Sequence, residues 1–89
     1  MVTYEDVAEA VCRILSTAKT RRYVVTARGV MRALGAEIPH GVLRAVLSRY
    51  GFRYVPVHKS DAGKYVVEVE HARSICEKIM KRRKKRAVF

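Results

Sequence analysis

The fold is decided by residues 26–51, TARGVMRALGAEIPHGVLRAVLSRYG, which predict two helices joined by a tight turn. The first, over 27–35, has an apolar face at helical spacing and two arginines opposite it. These residues are Ala27, Val30, Met31 and Leu34, with Arg28 and Arg32 pointing away. Thr26 suits the N-cap, and Gly35 follows the last apolar position, where helices commonly end. The second helix should begin with Pro39 at its first position and run to about Tyr50, with Leu43, Val46, Leu47 and Tyr50 inward.

The flanking segments add a helix before this pair and a hairpin and a helix after it. The first helix is predicted over 4–18, capped by Thr3 and Asp6, and a short β-branched run follows at 23–25. Strands at 52–57 and 64–69 flank a polar segment, as in a hairpin. Pro56 cannot donate to a strand ladder, so its strand should lie at a sheet edge. A last helix should begin near His71, and its packing should end about Met80.

Length and charge bound the class of protein. The 89 residues suffice for one domain, which we place at 1–80, followed by a basic tail at 81–89. Nineteen Lys and Arg against eight Asp and Glu give a formal net charge of +11, which favours polyanionic partners. No apolar run approaches membrane-spanning length and no signal peptide opens the chain, so we expect a soluble cytoplasmic protein with no membrane partner. The chain lacks Asn, Gln and Trp, a composition that favours a thermophilic, archaeal source.

The cysteines and histidines indicate neither a metal site nor an active site. We expect Cys12 and Cys76 to be buried free thiols, with a disulfide between the first and last helices as the alternative. His40, His58 and His71 do not cluster with them at metal-ligand spacing. The chain also has no glycine-rich phosphate loop and no nucleophile elbow. We therefore expect no metal, no cofactor and no enzymatic activity.

The predicted order of elements is helix, strand, helix, helix, strand, loop, strand, helix. With the helix pair in 26–51 and the hairpin FRYVPVHKSDAGKYVVEV (52–69), it resembles the winged helix-turn-helix family. The resemblance implies an α+β fold with a three-helix core, a small antiparallel sheet with a β-hairpin wing, and a C-terminal helix. It also implies that the third helix enters the major groove of DNA while the wing contacts the backbone. Winged folds also serve as protein-docking modules, so the family alone leaves the partner open.

The third helix provides the main candidates for nucleic-acid contact. Small residues occupy its outer centre and arginines flank them: Gly41, Ala45 and Ser48, between Arg44 and Arg49. Small residues let a backbone approach a groove, while guanidiniums reach phosphates or a guanine edge. Without Asn or Gln the bidentate adenine contact is absent, so Arg44 is the main base-contacting candidate, with Ser48 and His40 weaker. We therefore expect binding that is dominated by phosphates and has low sequence specificity.

Further cations extend this set across the second helix, the hairpin and the tail. The nucleic-acid-binding candidates there are Arg28, Arg32, Arg53, Lys59, Lys64, Lys81, Arg82, Arg83, Lys84, Lys85 and Arg86. We expect the run 81–86 to be disordered until a polyanion neutralises it. The prediction is a double-stranded DNA-binding protein, either a small transcription regulator or a protein associated with chromatin in the nucleoid. An RNA-binding or ribosome-associated protein and a protein-interaction module are the alternatives. A homodimer through the first or last helix also stays open.

Overall fold

A computed structural model describes residues 2–39, 41–57 and 63–87, with side chains through Lys81. In chain order the elements are α1 (Tyr4–Ser16), β1 (Arg22–Thr26), α2 (Ala27–Leu34), α3 (Val42–Arg49), β2 (Tyr54–Pro56), β3 (Lys64–Glu68) and α4 (Val69–Ala87). The described residues thus form an α+β fold of four helices and one three-stranded antiparallel sheet. The predicted α+β class is confirmed, and the arrangement is compatible with the expected winged helix.

The predicted capping residues begin α1 and α2. The Thr3 hydroxyl accepts from the Asp6 N–H at 3.1 Å, and the Asp6 carboxylate accepts from the Thr3 N–H at 3.0 Å. Thr26 accepts from the Gly29 N–H at 2.9 Å, and Gly35 ends α2 in the left-handed region at φ 70°. These contacts satisfy backbone groups that the helix ends leave unpaired. The observed C-terminal end of α1 differs from the prediction: the helix stops at Ser16, two residues before the predicted end at residue 18.

The predicted start of α3 at Pro39 is wrong. The helix begins at Val42, after Gly41 as its N-cap, and Gly41 has φ 85°. A residue in the left-handed region interrupts a right-handed helix, so Pro39 cannot belong to the same helix. Pro39 instead lies in a turn, in which its carbonyl accepts from the Val42 N–H at 3.2 Å.

The sheet has the strand order β1-β3-β2, so β2 lies at an edge, as Pro56 predicted. Both outer strands pair with β3 in antiparallel register, and one register row joins Val24, Val66 and Val55. A further bond ties the hairpin to the helices, because the Ala27 N–H donates to the Gly63 carbonyl at 2.7 Å. The end of the hairpin loop therefore lies against the first turn of α2.

The core lies between the helices and the inner face of the sheet. The fully buried large side chains are Leu47, Val7, Val11, Val25, Val30, Val46 and Val67. Burial matches the predicted inward face of α3, with Leu43, Val46 and Leu47 buried and Tyr50 half-buried. Tyr4, the first residue of α1, is 41% exposed.

Two expectations for the C-terminal region are wrong. Cys12 and Cys76 form a disulfide, with Cα atoms 5.6 Å apart, so the stated alternative holds and the expected free thiols do not. The reason is the packing of α4 along α1, which brings the two apolar faces carrying these cysteines together. In addition, α4 begins at Val69 and its backbone stays helical through Lys81–Arg86 to Ala87, where disorder was expected. The helix therefore continues beyond Ile79, the last buried residue among the described side chains.

Candidate nucleic-acid interface

The candidate interface is built on α2 and α3, neither of which contains an acidic residue. Arg28 and Arg32 lie one helical turn apart on the exposed side of α2, opposite the buried Val30. On α3, Arg44 and Ser48 are likewise one turn apart and exposed. Residues four apart share one face of a helix, so each helix presents its polar pair on one side. The connection between the helices carries one carboxylate, at Glu37, which is exposed.

Arg44, Ser48 and Tyr54 form a polar cluster where α3 meets β2. The Ser48 and Tyr54 hydroxyls are 2.7 Å apart and share a hydrogen bond. That bond lowers the pKa of Tyr54, partial burial opposes the shift, and the Arg44 guanidinium lowers the pKa further. The Tyr54 ring packs edge-on against the buried Tyr65, with 5.5 Å between the ring centroids. The cluster therefore brings together two hydroxyl groups and a guanidinium, which are all able to donate hydrogen bonds to a phosphate oxygen. The packing of the Tyr54 ring on Tyr65 holds one of these hydroxyls in place.

Arg49 lies on another side of α3 from Arg44. Its guanidinium sits 5.6 Å from the centroid of the Tyr4 ring, in a cation–π contact with α1. Arg49 also lines a cleft of about 500 Å³ between α1, α3 and α4, together with Lys78 of α4. The two arginines thus flank the outer centre of α3 as predicted, but the Arg49 guanidinium is already engaged with the Tyr4 ring of α1.

The loop end of the hairpin brings Lys64 towards the start of α2. Lys64 is exposed and pairs in register with Thr26, the N-cap of α2. The bond between Ala27 and Gly63 fixes the same junction, and Arg28 is the next residue along the helix. Sequence patterns alone did not reveal this proximity, because it depends on how the hairpin folds back onto α2.

Arg53 is the candidate that the structure separates from the others. Its guanidinium lies 4.0 Å from the Glu68 carboxylate, and Glu68 is on the outer face of the sheet. A carboxylate at that distance repels a phosphate, which weakens the case for Arg53 as a nucleic-acid contact. Arg53 therefore belongs to the sheet surface rather than to the α2–α3 face.

The remaining candidates are described only in part. His40 and Lys59 lie outside the described residues. Lys81 is exposed on α4. Arg82, Arg83, Lys84, Lys85 and Arg86 belong to the helical backbone of α4, but their side chains lie outside the described part of the structure.

Sequence reasoning missed Tyr54 and Tyr4 as partners of the predicted arginine and serine residues. The alternation of side chains along β2 shows that Tyr54 and Val55 face opposite sides of the sheet, but it does not show which helix the Tyr54 ring contacts. Its place beside Ser48 depends on the pairing of β2 with Val67 and Tyr65 of β3. For Tyr4, the available signal was an aromatic residue in the first turn of α1. Such a side chain can cover the end of a neighbouring helix, as Tyr4 does at Arg49 of α3.

The described residues form neither a metal-binding cluster nor a membrane-spanning helix. They contain no group of three or more His, Cys, Asp or Glu side chains placed to hold a metal ion. No helix within the described ranges combines the length and the apolar character that crossing a bilayer requires.

Comparisons of the chain with protein-family models, curated proteins and solved structures gave no match, so no function can be carried over from a relative.

Proposed function

We propose that this protein binds double-stranded DNA through the exposed sides of α2 and α3, called the α2–α3 face, and the loop end of the hairpin, chiefly by contacts with phosphates. The observation that carries the proposal is the exposure of Arg28, Arg32 and Arg44 on two helices that both pack against α1 and contain no carboxylate. Such a face concentrates positive charge where a helix can approach a duplex. The role is that of a small transcription regulator or chromatin-associated protein, without enzymatic activity.

The architecture that fits this role is the winged helix. The order α1-β1-α2-α3-β2-β3-α4 and the sheet order β1-β3-β2 support that assignment. In helix-turn-helix proteins the second helix of the pair enters the major groove, and here that helix is α3. The hairpin between β2 and β3 would lie beside it and contact the backbone, with Lys64 at the loop end of β3.

The side chains of α3 favour low sequence specificity. Arg44 is the one exposed guanidinium near the middle of the helix, and Ser48 already shares its hydroxyl with Tyr54. Because the chain has no Asn or Gln, adenine cannot be recognised by the usual paired hydrogen bonds. Phosphate contacts therefore provide most of the affinity, and base contacts add little discrimination.

The proposal is tested by measuring affinity for four unrelated 20-base-pair duplexes and one structured RNA hairpin at a single salt concentration. We expect the four duplexes to bind within about tenfold of one another, since specific readout commonly exceeds about a thousandfold. A preference of more than about a hundredfold for one duplex would contradict low specificity. Tighter binding of the RNA than of every duplex would contradict the DNA assignment and favour an RNA-binding role.

A further inference from the structure

The outer face of the sheet carries a row of valines that nothing in the described structure covers. Tyr65 and Val67 of β3 and Val25 of β1 are buried, so the alternate residues of these strands face outwards. The register places Val66 opposite Val24 on one side and opposite Val55 on the other. Val24 is 48% exposed and Val55 is 65% exposed, with the half-buried Val66 between them. The valine row therefore crosses all three strands.

The surroundings of this row are charged and mainly positive. Val55 and Val66 line a depression of about 600 Å³, which Arg22, Arg53 and Glu68 also line. Lys64 lies on the same face, because it alternates with the buried Tyr65. Three cations therefore accompany one carboxylate, and that carboxylate is already beside Arg53. The surface as a whole combines aliphatic contact area with an excess of positive charge.

This combination does not suit a nucleic acid or a second copy of the chain. The outward positions of the three strands carry no aromatic residue. Phe52 and Tyr54 also line the depression, but Phe52 is buried and Tyr54 is half-buried and packed against Tyr65, so neither ring offers bases an open stacking face. Phosphates placed over the valines would lose water without gaining hydrogen bonds. Two copies meeting at this face would each bring a net charge of +11 and the same positive rim. An acidic protein segment with aliphatic residues avoids both problems, because its aliphatic side chains can cover the valines and its carboxylates are attracted to the positive rim.

We infer that the outer sheet face binds an extended, acidic and aliphatic segment of a partner protein. Its aliphatic side chains cover Val24, Val66 and Val55, and its carboxylates meet Arg22 and Arg53, which line the same depression. Buried aliphatic area gives most of the affinity, while charge complementarity selects the partner. This surface is separate from the α2–α3 face, so the protein can hold DNA and the partner together. Arg53, predicted to contact nucleic acid, then belongs to the protein-binding surface.

The test uses two synthetic peptides, one alternating valine with glutamate and its twin with lysine in place of glutamate. Each peptide is titrated into the full-length protein while the valine methyl signals are followed by NMR. We expect the acidic peptide to shift the signals of Val24, Val55 and Val66, and the basic peptide to leave them unchanged. Val55→Thr keeps the side-chain shape but removes aliphatic surface, and should weaken binding of the acidic peptide about fivefold. Met80→Gln, at an exposed apolar residue of α4, is the matched control and should not change the affinity.

Three results would overturn the inference. The acidic peptide could shift signals of α3 in place of the valine row, the basic peptide could bind equally well, or Val55→Thr could bind as wild type does.

Duplex DNA titrated into the same sample separates this inference from the DNA proposal. DNA should leave the three valine signals unchanged and should still bind in the presence of the acidic peptide. Loss of DNA binding with peptide binding intact would contradict only the DNA proposal, and the reverse result would contradict only this one.

Discussion

Reduction of the Cys12–Cys76 disulfide should markedly destabilise the protein. The bond links α1 to α4 across a sequence separation of 64 residues, so it holds most of the chain in a closed loop. Such a cross-link stabilises a fold mainly because it restricts the unfolded chain. Reduction leaves both side chains in place, so the comparison isolates the cross-link itself.

The size of the effect follows from the length of the loop. Chain entropy predicts roughly 4 kcal/mol at 25 °C for a loop of this length, and measured values commonly lie at about 2–4 kcal/mol. For a domain of this size, each kcal/mol shifts the melting temperature by about 4–8 °C. We therefore expect reduction to lower Tm by about 10–25 °C.

The assay is thermal unfolding followed by circular dichroism, with and without a dithiol reductant. A thiol count on the unfolded, unreduced protein should find no free cysteine. The double variant Cys12→Ala/Cys76→Ala is the control, because its Tm should not respond to the reductant. Equal Tm values for reduced and oxidised wild-type protein, or two free thiols without reductant, would refute the reasoning.

Three further predictions concern single residues. Tyr54 should ionise below the ordinary tyrosine pKa of 10.0, because Ser48 and then Arg44 favour the ionised form, and Ser48→Ala should move its tyrosinate absorbance back towards that value. Since the folded pKa is the lower one, the unfolded state binds more protons between the two pKa values, and the free energy of unfolding should rise with pH across that interval. Gly41→Ala should destabilise the protein by about 1–2 kcal/mol in urea unfolding, because φ at Gly41 is 85° and alanine is strained there; an unchanged midpoint would show that the turn readjusts. Arg49→Ala should lower the free energy of unfolding by about 0.5–1 kcal/mol through loss of the Tyr4 contact, and the same substitution should have no such effect in a Tyr4→Leu background.

Local sequence signals predicted the helix ends well where the capping group and the helix are close in sequence. Thr26 and Gly35 lie within one turn of the backbone groups they satisfy, so their residue types sufficed. Pro39 was misplaced because proline and glycine both favour positions near a helix start, and the left-handed backbone of Gly41 decided between them. Pro56 was placed correctly because a missing N–H restricts any strand in the same way.

The contacts of the candidate interface depend on distant segments and were less predictable. The exposed sides of Arg28 and Arg44 followed from helical periodicity. Their neighbours did not, because the Ser48–Tyr54 bond requires β2 to lie against α3. The disulfide was predicted only as the alternative to free thiols for a related reason, since residue spacing cannot show that two helices approach within bonding distance.

The central claim is most directly tested by the salt dependence of duplex DNA affinity for Arg28→Ala/Arg44→Ala and a charge-matched control. Arg13→Ala/Arg73→Ala removes two exposed cations from α1 and α4, outside the proposed interface. We expect the interface variant to reduce the slope of log affinity against log salt by about 1 per lost phosphate contact, and the control to leave the slope nearly unchanged. Equal effects of the two variants would contradict the account. If binding survived the loss of Arg28 and Arg44 but vanished on removal of residues 81–89, the C-terminal end of α4 would be the nucleic-acid-binding element instead.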